Sequence, residues 1–76
     1  RVIVADDNAD MREYLVRLLT PRYEVDVAAN GASALALLRA RPAAAVVADV
    51  MMPKLDGFGL VAAVRSDPQI ASTPVI

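Results

Sequence analysis

The sequence contains no cysteine, no histidine and no tryptophan. The first two absences remove thiol and imidazole chemistry together. A cysteine nucleophile, a histidine general base, a Ser-His-Asp triad and an ordinary zinc site each need a side chain this protein does not have. Carboxylates are left as the reactive groups, and a metal held by them would be a hard one. Without cysteine there is no disulfide to support a chain of 76 residues, and a domain near this size buries only about 60% of the surface its unfolded chain exposes. Marginal stability is the expectation. Aromatic residues are scarce too, limited to Tyr14, Tyr23 and Phe58, so the core must be built from Val, Ile, Leu and the fifteen alanines.

A dominant charge is also missing. Eight basic residues stand against nine acidic ones, for a net charge of −1, and the seven Arg and one Lys are scattered. That pattern gives no electrostatic footprint for nucleic acid, which is not expected as a direct partner. The longest uninterrupted apolar run, Ala43 to Ala48, is far shorter than a bilayer span, and Arg1 to Asp7 lacks the apolar stretch of a signal peptide. Direct membrane contact is not expected, and a reducing cytoplasm is the default compartment.

What the chain does have is apolar content, 57% of residues with a mean hydropathy of +0.43, too high for disorder. Its arrangement is periodic. Val2 to Ala5 is a short β-branched run ended by Asp6 and Asp7, the pattern of a strand buried on both faces. From Ala9 the spacing becomes helical, with Met11, Tyr14, Leu15, Leu18 and Leu19 on one stripe, Asn8 or Asp10 as cap and Pro21 as the stop. Tyr23 to Ala28 alternates with period two, which predicts a strand with one solvated face at a sheet edge. Asn30-Gly31 opens a second helix, Ala32 to about Ala40, with Leu35 and Leu38 inward and Pro42 beyond its end. Ala43 to Ala48 is another apolar run delivered into Asp49. After a loop marked by Pro53 and Gly57, a third helix runs from about Phe58 to Arg65. Thr73 to Ile76 reads as the start of a fourth strand.

The order β-α-β-α-β-α-β with short connections predicts a parallel α/β sheet with helices on both faces and right-handed crossovers. A last strand only begun leaves an open edge, so residues 1–76 read as the N-terminal portion of a longer domain. An open edge also admits a homodimer, by strand pairing or by domain swapping.

Parallel strands put their carboxyl ends on one rim, which places Asp6, Asp7 and Asp49 on the same side of the sheet. In a flavodoxin-like strand order, 2-1-3-4, the first and third strands are neighbours and the crevice between them is the topological switch point. Three carboxylates meeting there repel one another and call for a shared proton or a cation. Mg²⁺ fits an all-oxygen set, taking one or two carboxylates and completing its shell with water and phosphate oxygens. A carboxylate beside Mg²⁺ is also competent to attack a phosphoryl group. Singly, these residues have plainer roles: an Asp pair before a helix answers the helix dipole, a strand-end Asp is a turn residue, and Met51-Met52 is apolar filler.

Together, Val2-Ile-Val-Ala-Asp6-Asp7-Asn8, Asn30-Gly31-Ala-Ser-Ala-Leu35 and Asp49-Val-Met51-Met52-Pro53-Lys54-Leu-Asp56-Gly57 resemble the receiver domain of two-component response regulators, a doubly wound, CheY-like fold. The resemblance implies that Asp49 is the phosphoacceptor. It also implies that Asp7 and Asp49 bind Mg²⁺ directly with the backbone carbonyl of Met51, and that Asp6 acts mainly through a metal-bound water. The Met51 side chain would influence how quickly the phosphoryl group is hydrolysed. Pro53 and Gly57 would shape the acceptor loop, and Lys54 and Asp56 would be solvated loop residues. The implied partner is a histidine kinase or a phosphotransfer protein, and Ala5 to Tyr14 also resembles receivers fused to hybrid sensor kinases. Such a module catalyses its own phosphorylation and dephosphorylation weakly and is not a turnover enzyme.

The family also uses a Ser or Thr ending the fourth strand and a Lys ending the fifth, neither of which falls within these residues. The alternative is therefore a binding or assembly module that works without phosphorylation, or an inactive fragment. A phosphatase of the haloacid-dehalogenase type would need Asp where Met51 stands. A flavodoxin would need a phosphate loop where Asp6-Asp7 would repel an anionic cofactor.

Overall fold

The computed structural model describes residues 1–52 and 54–76. Strands and helices alternate as β1 (Val2–Ala5), α1 (Ala9–Leu19), β2 (Val25–Ala28), α2 (Gly31–Ala40), β3 (Ala45–Ala48) and α3 (Gly57–Ser66). The three strands form one parallel sheet in the order β2-β1-β3. Val2 to Ala5 pair in register with Val25 to Ala28 on one side and with Ala45 to Ala48 on the other. Beyond β3, Val75 makes a parallel bridge to Val46, and the Ile76 amide donates to the Val46 carbonyl at 2.8 Å. An isolated bridge thus stands beside β3 where the sequence places a fourth strand, and the sheet itself has three strands in the order 2-1-3.

β1 is buried along its whole length, as expected of a central strand covered on both faces. Alternation divides its side chains. Ile3 and Ala5 join Val46 of β3, Ala34 and Leu38 of α2, and Leu60 and Val64 of α3 in one core, with Met52 and Ile70 closing it. Val2 and Val4 point to the opposite face, where α1 packs against β1 and β2.

Two features of the sheet and its covering are not marked by the sequence pattern. The α1 stripe is not a buried surface: none of its residues is buried, and Met11, Tyr14 and Leu18 are exposed. Periodicity marks a helix as amphipathic, whereas burial needs a neighbour, and among the described residues α1 packs chiefly against two short strands. On β2, the alternation does not say which residues face inward. Val27 is 48% exposed, while Asp26 lies on the core side, level with Ile3, where it pairs with the Arg1 guanidinium at 2.8 Å. The Arg1 side chain is 7% exposed and also donates to the carbonyls of Arg41 and Leu37 at the end of α2. It ties β1, β2 and α2 together, reaching the Arg41 carbonyl beyond the helix and adding a second donor to the Leu37 carbonyl, which already accepts the Arg41 amide. The strand proper is also shorter than the alternating run, starting at Val25 and not at Tyr23.

The helix starts follow their caps. Asn8, not Asp10, caps α1 by accepting from the amides of Asp10 and Met11. Asn30 caps α2 by accepting from Ser33 at 2.8 Å, and Asp56 caps α3 by accepting from Gly59 at 2.8 Å. Replacing Asn30 with alanine is expected to cost about 1 kcal/mol of stability, read as a lower urea midpoint with an unchanged slope.

Candidate functional site

The acidic rim is assembled by the ends of two adjacent strands. The Asp49 amide donates to the Ala5 carbonyl at 3.0 Å and the Asp6 amide to the Ala28 carbonyl at 3.1 Å, so the sheet ladder continues into the residues that carry the charges. Asp6, Asp7 and Asp49 each present a carboxylate oxygen within 4.8 Å of the other two. The sequence expectation that these three converge is met in the geometry.

Their surroundings differ. Asp6 is 7% exposed, and one of its oxygens accepts the Asn8 amide at 2.9 Å. Its backbone carbonyl accepts from the Arg12 guanidinium at 2.8 Å, an α1-to-β1 tie. Asp7 is exposed and Asp49 half-buried. Asp7 has no side-chain hydrogen bond or ion pair among the described residues, and the cap that would have given it a plain helix-terminal role belongs to Asn8. Asp49 accepts the Met51 amide through one carboxylate oxygen, 3.3 Å away.

The loop after Asp49 is held from behind by α3. The Gly57 amide donates to the Val50 carbonyl at 3.0 Å, and a Cβ on Gly57 would stand 2.8 Å from the Asp49 carbonyl oxygen and 2.9 Å from the Val50 Cα. Gly57 is therefore required for close approach of the helix to the Asp49 backbone. Lys54 takes a left-handed conformation, φ 68°, which a non-glycine residue adopts at a cost. Pro53, the other expected loop residue, lies outside the described residues. The Met51 side chain is exposed while Met52 is buried in the core, so the two methionines have opposite placements.

Sequence reasoning missed three contributors. Asp56 is exposed, as expected, and is also the α3 cap, a role for which an Asp immediately before a helix was the available signal. Arg12 reaches the nearby Asp6 carbonyl and Gly31 meets Leu55, far along the chain, contacts that no hydropathy pattern marks.

The donor set is all oxygen and opens to solvent through Asp7, which matches Mg²⁺, a cation that keeps part of its water shell. A parallel sheet with its acidic crevice between β1 and β3 defines a flavodoxin-like, CheY-type domain. Residues 2–76 match the response regulator receiver domain family, and the chain belongs to that family. Among curated proteins it is similar to a probable transcriptional regulator ycf27 of Porphyra purpurea, 42% identical over 71 residues that cover 92% of this chain and 29% of that protein. It is also similar to the sensor histidine kinase TmoS of Ectopseudomonas mendocina, 38% identical over 76 residues that cover 100% of this chain and 8% of that one. Among solved structures, the chemotaxis response regulator CheY4 of Vibrio cholerae superimposes with a TM-score of 0.91 at 36% identity, covering 97% of this chain and 62% of that one. A sensor protein from Polaromonas sp. JS666 gives a TM-score of 0.92 at 28% identity, covering 99% and 61%. The chain therefore spans less than a third of these curated relatives. Among the described residues no helix is long and apolar enough to cross a membrane.

Proposed function

We propose that the chain is a phosphoacceptor module of a two-component phosphorelay, with Asp49 as the residue phosphorylated and a histidine kinase or phosphotransfer protein as the donor. The observation that carries this reading is the convergence of Asp6, Asp7 and Asp49 within 4.8 Å in a member of the receiver family. The same reading takes residues 1–76 as the N-terminal portion of a receiver domain, supported by matched structures that extend beyond it.

Asp7 and Asp49 would hold Mg²⁺ directly with the Met51 carbonyl, and Asp6 would act through a water. When bound, the cation neutralises the charge that gathers on the transferring phosphoryl oxygens. Asp49 supplies the nucleophile. A carboxylate oxygen forms a bond to phosphorus as the bond from phosphorus to the donor nitrogen breaks, and that nitrogen keeps the electron pair. The hydrogen bond from the Met51 amide restricts rotation of the Asp49 carboxylate, so fewer orientations must be excluded before attack. Asp6, fixed by Asn8 and Arg12, is a static member of the rim.

The test is incubation with acetyl phosphate and Mg²⁺ followed by intact mass spectrometry. A single phosphoryl adduct is expected from the native chain. It should disappear with EDTA and in Asp49→Asn. An unmodified spectrum from chain shown to be folded by circular dichroism overturns the reading.

A further inference from the structure

Gly31 begins α2, two elements away from the acceptor, yet it is buried against the loop that follows β3. A Cβ there would stand 2.0 Å from the Leu55 carbonyl oxygen, 2.8 Å from its carbonyl carbon and 2.9 Å from its Cβ. No glycine in the structure has a positive φ, so Gly31 is not needed for backbone conformation. It is needed for room: the hydrogen in place of its side chain faces a main-chain oxygen that no rotamer change moves aside.

Leu55 lies between Lys54, in its left-handed conformation, and Asp56, fixed as the α3 cap. Leu55 and Asp56 are therefore anchored at the Gly57 end by α3 and pressed at Leu55 by the N-terminus of α2. Leu55 is two residues from Gly57, whose amide holds the Val50 carbonyl and which lies against the Asp49 carbonyl, so displacement at Leu55 reaches the Asp49 backbone through that contact. We propose that Gly31 is a positioning residue for the acceptor loop, setting the place of the Met51 carbonyl relative to Asp6 and Asp7 and hence the affinity for Mg²⁺. The inference rests on the phosphoacceptor reading for its metal consequence, and on contact geometry alone for its loop consequence.

Gly59 provides the internal comparison. A Cβ there would meet the same residue, but at the Leu55 Cδ1, 2.7 Å away, the far end of a flexible side chain. Gly31→Ala and Gly59→Ala therefore press on Leu55 through backbone and side chain respectively.

The experiment records amide NMR spectra of the full 76-residue chain and both variants, first without metal and then through a Mg²⁺ titration. Adduct formation from acetyl phosphate is followed at each Mg²⁺ concentration. In Gly31→Ala the metal-free shifts should change chiefly over residues 49–56, and Mg²⁺ affinity should fall about tenfold, the scale seen when a ligand's supporting contacts are lost. The adduct rate should recover at saturating Mg²⁺, and Gly59→Ala should keep the native affinity. Native Mg²⁺ affinity in Gly31→Ala overturns the inference, as does an equal loss in both variants or a rate that stays low at saturation. If Gly31→Ala unfolds in buffer, the comparison is made in trimethylamine N-oxide, which favours the compact state. A variant unfolded even there makes Gly31 a residue of the fold and overturns the inference. A native chain that ignores Mg²⁺ defeats the phosphoacceptor reading, and the metal-free shifts still decide whether Gly31 sets the loop.

Discussion

Replacing Asp7 with asparagine is expected to make the metal-free chain more stable and to abolish its response to Mg²⁺. Asp7 is exposed and has no side-chain partner among the described residues, yet it lies within 4.8 Å of both Asp6 and Asp49. Two unit charges at such a separation repel by about 1 kcal/mol in bulk water, and by more where the protein surface lowers the effective dielectric. Removing one charge eliminates two of the three repulsive pairs, so the variant should gain on the order of 1–2 kcal/mol without metal. The native chain gains instead from the cation, by about 2.7 kcal/mol at a hundredfold excess over its dissociation constant. The two proteins should therefore exchange rank between EDTA and Mg²⁺. Urea unfolding in the two buffers reads this directly, and an Asp7→Asn midpoint that still rises with Mg²⁺ would remove Asp7 from the ligand set.

Leu60→Ala should have the largest effect on folding. Leu60 has no exposed surface and lies in α3 within the cluster that joins Ile3, Ala34, Leu38 and Val46. Truncating a buried leucine costs about 2–5 kcal/mol, depending on how far the cavity collapses. A chain of this size has roughly 4–11 kcal/mol in total, and the helix involved also anchors the acceptor backbone through Gly57. The expected result is a large unfolded fraction at 37 °C in EDTA, partly recovered by Mg²⁺, measured by far-ultraviolet circular dichroism. A midpoint within about 0.5 kcal/mol of the native chain would show that this core does not carry the fold.

The parts legible in the sequence are those written locally. Val2 to Ala5 and Ala43 to Ala48 each combine β-branched or small apolar residues with an abrupt Asp, so strand, strand end and carboxylate all lie within a few positions. The parallel topology then follows from alternation alone, and with it the common rim. The exposure of Met11, Tyr14 and Leu18 was not legible, because an amphipathic stripe is the same whether or not a neighbour covers it. The inward placement of Asp26 was not legible for a related reason: its partner Arg1 is 25 positions away, and a period-two pattern contains no information about such a pairing. Asn30-Gly31 is the sharpest case. As a dipeptide it reads as a turn signal, and only the approach of Leu55 shows that the glycine answers a steric demand from another part of the chain.

The Asp49 amide is bonded to the Ala5 carbonyl across the β1-β3 pair, two strands adjacent in space and separated in sequence by α1, β2 and α2. That pairing closes a long loop, so it belongs among the late events of folding. A site completed by it does not exist in the partly folded chain, and the cation finds nothing to grip until the ladder has formed. Mg²⁺ should then act on the lifetime of the folded state and not on its rate of formation, slowing unfolding while refolding proceeds at the metal-free pace.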